Sequence, residues 1–124
     1  MTTPTVYHYP GCSTCRKARK WLGANGIDHT LVHIVDAPPD ADAIADMIDR
    51  SGLPPKRFFN TSGQSYRAGG WKERVGSLDI RSAATALAAD GKLIKRPLVD
   101  AGGTVLVGFK EAIWADALTA GASG

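Results

Sequence analysis

The chain has 124 residues, is 44% hydrophobic and 22% charged, and carries a formal charge of +3, the profile of one globular domain that can bury a core without disulfide staples. With 15 Lys and Arg against 12 Asp and Glu, the balance gives no basis for nucleic-acid binding. No apolar run approaches the roughly 20 residues of a membrane span, and the opening "MTTPTVYHYP" lacks the regions of a signal peptide.

The first stretch, residues 5–9 "TVYHY", is β-branched and aromatic and predicts a short strand that Pro10-Gly11 stops. Residues 13–24 predict a helix, with Cys15, Ala18 and Leu22 on one face, Trp21 beside them, and Asn25-Gly26 ending it. Residues 28–35, "DHTLVHIV", read as a second strand. Strand, helix and strand in about 30 residues make one βαβ unit, whose two strands are expected to be parallel, with a right-handed crossover. Pro38-Pro39 breaks the chain, Asp40 is placed to cap a helix, and Ala41, Ile44, Ala45 and Ile48 form its apolar stripe up to Gly52.

Residues 53–76 are rich in turn formers, with short helical pieces expected near 56–59 and 71–75. Ile80, Ala83, Ala84 and Leu87 mark a further amphipathic helix stopped by Asp90-Gly91. "PLVD" and "TVLVG" flank "AGG" as a hairpin. A last helix from about Lys110 turns Ile113, Trp114, Ala117 and Leu118 inward, and "TAGASG" is expected to fray. Trp21, Phe58, Phe59, Phe109 and Trp114 are expected in the core. A parallel pair plus an antiparallel hairpin makes a mixed sheet covered by helices, in one domain over residues 1–124. The expected class is α/β, and a C-x-x-C beside a βαβ unit is the cue for a thioredoxin-like fold.

Both cysteines of the chain, Cys12 and Cys15, lie in "PGCSTCRK". Only a thiolate is a nucleophile, and a helix N-terminus can lower a thiol from about 8.5 to about 3.5–7.5. Cys12 stands where the helix begins, at unpaired N–H groups and the positive end of the helix dipole. Gly11 gives the backbone room to turn, and Arg16 can add charge one turn on. Cys15, three residues later, can reach a mixed disulfide formed at Cys12 and attack it. Cys12 is thus the expected nucleophile and Cys15 the resolving thiol. A zinc site would want two more ligands, and His8, His29 and His33 offer no ligand spacing; no metal is expected. Two inert thiols are the bland alternative, and a solvated helix face is the bland reading of Lys17 and Lys20.

Four segments, "YHYPGCSTCRKARKWL", "GLPPKRFFNTSGQSYR", "DGKLIKRPLVD" and "VLVGFKEAIW", together resemble the arsenate-reductase-like family, which includes glutaredoxin-coupled arsenate reductases and the Spx redox regulators. The resemblance spans about residues 5–118 and is nearest to the small arsenate-reductase-like proteins. It implies a thioredoxin-like core with a helical insertion. It also implies a cis bond before Pro97, facing the cysteine loop, and an Arg96 that holds an oxyanion at Cys12.

Departures from the family pattern matter as much. The single-cysteine arsenate reductases use three arginines; here only Arg96 matches, with Asn60 and Gly108 at the other two positions. Lys110 or Arg67 are candidates to compensate. Asn60, Ser62 and Arg67 of "NTSGQSYR" are candidate ligands for an anion or for glutathione, although a structural turn is the first reading of that segment.

The expected activity is a thiol-dependent oxidoreductase. Its catalytic residues are Cys12, Cys15 and Arg96, and its substrate-binding residues are Arg16, Asn60, Arg67 and Pro97. The expected substrate is a small oxyanion or a glutathione-linked disulfide, with a redox protein as electron donor. No cofactor is expected beyond an external thiol such as glutathione, glutaredoxin or thioredoxin. The expected protein is a cytoplasmic monomer without nucleic-acid or membrane partners. The alternative is an Spx-like redox sensor that binds the RNA polymerase α subunit.

Overall fold

The computed structural model describes residues 3–119, so the tail beyond Thr119 lies outside the described residues. The chain divides into two compact units, one from Met1–Val32 and Arg96–Gly124, the other from His33–Lys95.

The first unit is built on a four-stranded mixed sheet. Its strands are β1 (Thr5–His8), β2 (Thr30–His33), β3 (Leu98–Asp100) and β4 (Val105–Val107), in the order β2-β1-β3-β4. β1 and β3 pair antiparallel with Val6 opposite Val99, and β3 and β4 with Val99 opposite Leu106. β3 and β4 are the expected hairpin, while β2 is four residues rather than eight. Two helices belong to this unit, α1 (Ser13–Ala24) and α6 (Glu111–Leu118). α1 has the expected bounds, and its Cys15, Ala18 and Leu22 are buried as their spacing predicts.

The core of this unit gathers Val6, Ala18, Leu22, Val99, Leu106 and Trp114. Edge-to-face contacts, the geometry aromatic quadrupoles favour, set Trp114 4.9 Å from Phe109 and 6.1 Å from Trp21, centroid to centroid. The Trp114 indole N–H, which must find an acceptor when buried, donates to the Gly108 carbonyl at 3.0 Å. Ile113 departs from expectation: it is 51% exposed. The inward face of α6 is centred on Trp114, Ala117 and Leu118, and Ile113 falls to its flank on a helix only eight residues long.

The second unit is helical and matches the expected insertion in sequence. α2 (Ala41–Ser51) starts at Asp40, whose carboxylate accepts from the Ala43 N–H at 2.8 Å, and ends at the left-handed Gly52. Ile44, Met47 and Ile48 are its buried stripe, with Met47 taking the place expected of Ala45. A 3-10 turn at Pro55–Phe58 precedes two short helices, α3 (Gln64–Ala68) and α4 (Trp71–Arg74), and a second 3-10 turn at Val75–Ser77 follows them.

The sequence reading missed α3: Gly63 and Gly69 bound it, and five residues are too few to show a helical period. α5 (Ile80–Ala89) is capped by Asp79 and packs against α2, and Arg81 reaches Asp42 at 2.8 Å. Among the described residues no helix is long and apolar enough to cross a membrane.

Candidate active site

β1 ends at His8, and the chain turns through Pro10-Gly11 into α1. The turn is closed by the Cys12 N–H, which donates to the Tyr9 carbonyl at 3.0 Å. Cys12 is then the N-cap of α1, with an extended backbone (φ −89°, ψ 117°), and its sulfur accepts from the Cys15 N–H at 3.4 Å. A capping position normally holds Ser, Thr, Asp or Asn, whose oxygen receives an orphan N–H of the first turn. Here a sulfur takes that place, so the N–H groups that a capping oxygen would otherwise receive bear on the nucleophile.

The two thiols are driven apart. Burial pushes Cys12 up. The main-chain N–H of Cys15, the Cys15 thiol, the Thr14 N–H and the Arg96 charge together outweigh that effect, and Cys12 lies below its ordinary value of 9.0. Cys15 is only 1% exposed. Burial pushes it up to about 12, against the Tyr9 N–H and Arg96, which favour its thiolate; donation to Cys12 and repulsion by the Cys12 thiolate push the same way as burial. Two cysteines one helical turn apart thus have opposite tendencies by environment, one half-exposed and made more acidic, the other enclosed and held protonated. Both are reduced.

Arg96 and Pro97 stand directly before β3, joined by a cis bond as the resemblance implies. The Arg96 guanidinium lies over the Tyr9 ring, 4.9 Å from its centroid, and its charge acts on both thiols. The Pro97 carbonyl accepts from the Gly108 N–H at 2.9 Å. The first unit thus brings the Arg96 charge to bear on Cys12 and Cys15, with Pro97 next to Arg96 in the chain. Arg16 is exposed, and its guanidinium donates to the Pro10 carbonyl at 3.2 Å, so its observed role is to brace the turn.

Asn60 and Arg67 belong to the second unit. The Asn60 N–H donates to the Leu93 carbonyl at 2.7 Å, and its carbonyl accepts from Gly63 at 3.0 Å. The Arg67 guanidinium donates to the Ser62 carbonyl at 3.0 Å. Arg67 also lines a cavity of about 530 Å³ with Lys56, Thr61, Tyr66, Lys72 and Glu73. Lys110 caps α6 by position and is exposed.

Sequence reasoning missed Tyr9, read only as a strand aromatic. It lies beyond the strand, and its ring packs so closely on Gly11 that a Cβ there would stand 3.1 Å from it. Among the described residues no three His, Cys, Asp or Glu side chains converge as metal ligands.

The raised Cys15 value predicts a pH effect on stability. A group whose proton is held more tightly in the folded state contributes fully below its unfolded value and loses that contribution as pH rises through the folded one. The window is therefore from about 9 to about 12. Urea midpoints of the reduced protein and of Cys15→Ala, measured through this window, should converge as pH rises. A constant difference would mean that the buried thiol is not held neutral.

Comparison with known proteins points one way. A model of the ArsC family matches residues 7–117. The chain is 46% identical over 107 residues to the uncharacterized protein YusI of Bacillus subtilis, covering 86% of this chain and 91% of YusI. It is 31% identical over 104 residues to an arsenate reductase of Neisseria meningitidis serogroup A, covering 83% and 87%. An ArsC family related protein of Bacteroides fragilis superimposes with a TM-score of 0.88 at 42% identity, covering 93% of this chain and 97% of the other. The α/β fold with a mixed four-stranded sheet is that of the thioredoxin-like ArsC structures.

Proposed function

Because the chain belongs to the ArsC family, we propose that it is a thiol-dependent oxidoreductase of that family acting through Cys12. The observation that supports this most directly is the Cys12 sulfur in the N-cap position of α1, accepting a helix N–H. In this reading the Cys12 thiolate attacks a sulfur of a disulfide substrate, such as a glutathione-linked one. A Cys12 mixed disulfide forms and the departing thiolate takes a proton from solvent. Cys15 then gives up its proton and attacks the Cys12 sulfur, the second thiol leaves, and a Cys12–Cys15 disulfide remains. An external dithiol or two monothiols, from glutathione, glutaredoxin or thioredoxin, reduce that bond and close the cycle.

The order of events follows from charge. While Cys12 is a thiolate, it accepts a hydrogen bond from Cys15 and repels any charge there, and both effects keep Cys15 protonated. Once Cys12 is part of a mixed disulfide it is neutral, and both effects vanish. The Tyr9 N–H and Arg96 remain, and both favour a thiolate at Cys15. The resolving thiol therefore becomes more acidic at the step that needs it. Arg96 holds the anionic end of the substrate beside Cys12.

Mild peroxide should give an intramolecular Cys12–Cys15 disulfide, read by mass spectrometry as the loss of two hydrogens without dimer. Sulfinic acid at Cys12 with Cys15 still free would argue that Cys15 does not resolve. Turnover of a glutathione-linked disulfide with glutathione, glutaredoxin or thioredoxin as donor tests the activity itself, and no turnover with any of them would sink the proposal.

A further inference from the structure

We propose that Tyr9 is a positioning residue of this site, its ring holding the Arg96 guanidinium in place beside the cysteine turn. The inference rests on the reading of Arg96 as the group that stabilises negative charge at Cys12.

Tyr9 stands at the junction of the parts that matter. Its carbonyl receives the Cys12 N–H at 3.0 Å and so sets where the nucleophile leaves the turn. The ring offers its face to the guanidinium, 4.9 Å from centroid to Arg96 Cζ. A guanidinium is planar, weakly hydrated and well matched to such a face. The ring face narrows the positions open to the guanidinium.

The Cδ2–Cε2 edge of the ring lies against Gly11. A Cβ at that position would stand 3.1 Å from Tyr9 Cε2 and 3.6 Å from Cδ2. Gly11 therefore does more than ease a turn: its bare Cα admits the ring to the position from which it meets Arg96. The groups acting on Cys12 are the Cys15 thiol and main chain, the Thr14 N–H and Arg96. Tyr9 has its effect on the nucleophile by placing the last of these.

The test is a double-mutant cycle on the full chain, with the rate of Cys12 alkylation against pH and the rate of disulfide exchange at neutral pH as readouts. Tyr9→Leu keeps bulk but removes the ring face. It should raise the alkylation midpoint and slow exchange by about two- to tenfold, the span of a guanidinium–ring contact. Arg96→Ala should do at least as much, and Tyr9→Leu should add nothing in the Arg96→Ala background. Tyr9→Phe, which keeps the ring, should restore the profile.

If Arg96→Ala moves the profile and Tyr9→Leu does not, or if the two effects add, the Tyr9 inference is overturned and the reading of Arg96 stands. If Arg96→Ala changes nothing, both fall. A Tyr9→Phe variant as impaired as Tyr9→Leu would place the effect in the phenol and overturn the inference. Should Tyr9→Leu fail to fold, Gly11→Ala takes its place in the cycle, because it displaces the ring by a few tenths of an ångström while leaving both side chains intact. It is then expected to shift the profile in the same direction, and an unmoved profile would overturn the inference.

Discussion

Cys12→Ser is expected to lower disulfide exchange by about a thousandfold or more, the order seen when the nucleophile of a covalent mechanism is removed. The loss follows from what would be left. Cys15 is the only other thiol, it is 1% exposed, and its value stands at about 12. A thiol at that value is ionised to the order of one part in 10⁵ at pH 7. Removing Cys12 relieves the part of the upward shift that its thiolate causes, but burial comes first among the causes and stays.

Cys15→Ser should behave differently. The first attack survives, so a mixed disulfide on Cys12 should accumulate and await an external thiol. Alkylation against pH in the reduced protein should show one reactive thiol with a midpoint below the ordinary 9.0 for a cysteine. If Cys12→Ser keeps that low-midpoint reactivity, the nucleophile has been assigned to the wrong residue.

Much of this arrangement is legible in the amino-acid order, for physical reasons. The i, i+3, i+7 spacing of Cys15, Ala18 and Leu22, closed by Asn25-Gly26, defines α1 to the residue, and the position of Cys12 at its start then follows. Asp40 and Gly52 likewise bracket α2. Other features leave no local trace. Nothing within a four-residue strand says which strand lies beside it, so the order β2-β1-β3-β4 had to be seen. α3 has no full apolar period. The opposed acidities of Cys12 and Cys15 depend on burial and on a charge 84 positions downstream of Cys12, at Arg96. Tyr9 escaped notice because an aromatic in a β-branched stretch looks like a core residue. Its contact with Arg96 exists only once the first unit has folded.

Arsenate reduction is expected to be slow relative to exchange with a glutathione-linked disulfide. Arsenate is a compact, multiply charged oxyanion, and its binding depends on forked donors around the nucleophile. The family resemblance implies three arginines; on that reading this chain keeps Arg96 and would carry Asn60 and Gly108 at the other two positions. Hydrogen bonds to charged groups are worth about 1.5–3 kcal/mol each, so two missing donors cost on the order of a hundredfold to ten-thousandfold in binding. A glutathione-linked disulfide needs less concentrated charge and loses less.

Gly108 also has a structural duty that an arginine could not take over freely. Its φ is +75°, a region that costs a residue with a Cβ about 1–2 kcal/mol. Its N–H holds the Pro97 carbonyl at 2.9 Å and its own carbonyl receives the Trp114 indole at 3.0 Å. Gly108→Arg should therefore lower the unfolding midpoint and fail to restore arsenate turnover, because the same strain disturbs the loop that presents Arg96. Steady-state assays of arsenate and of a glutathione-linked disulfide on the same preparation decide the matter. Arsenate turnover as fast as exchange, at low substrate, would show that other cations of this chain supply the missing donors.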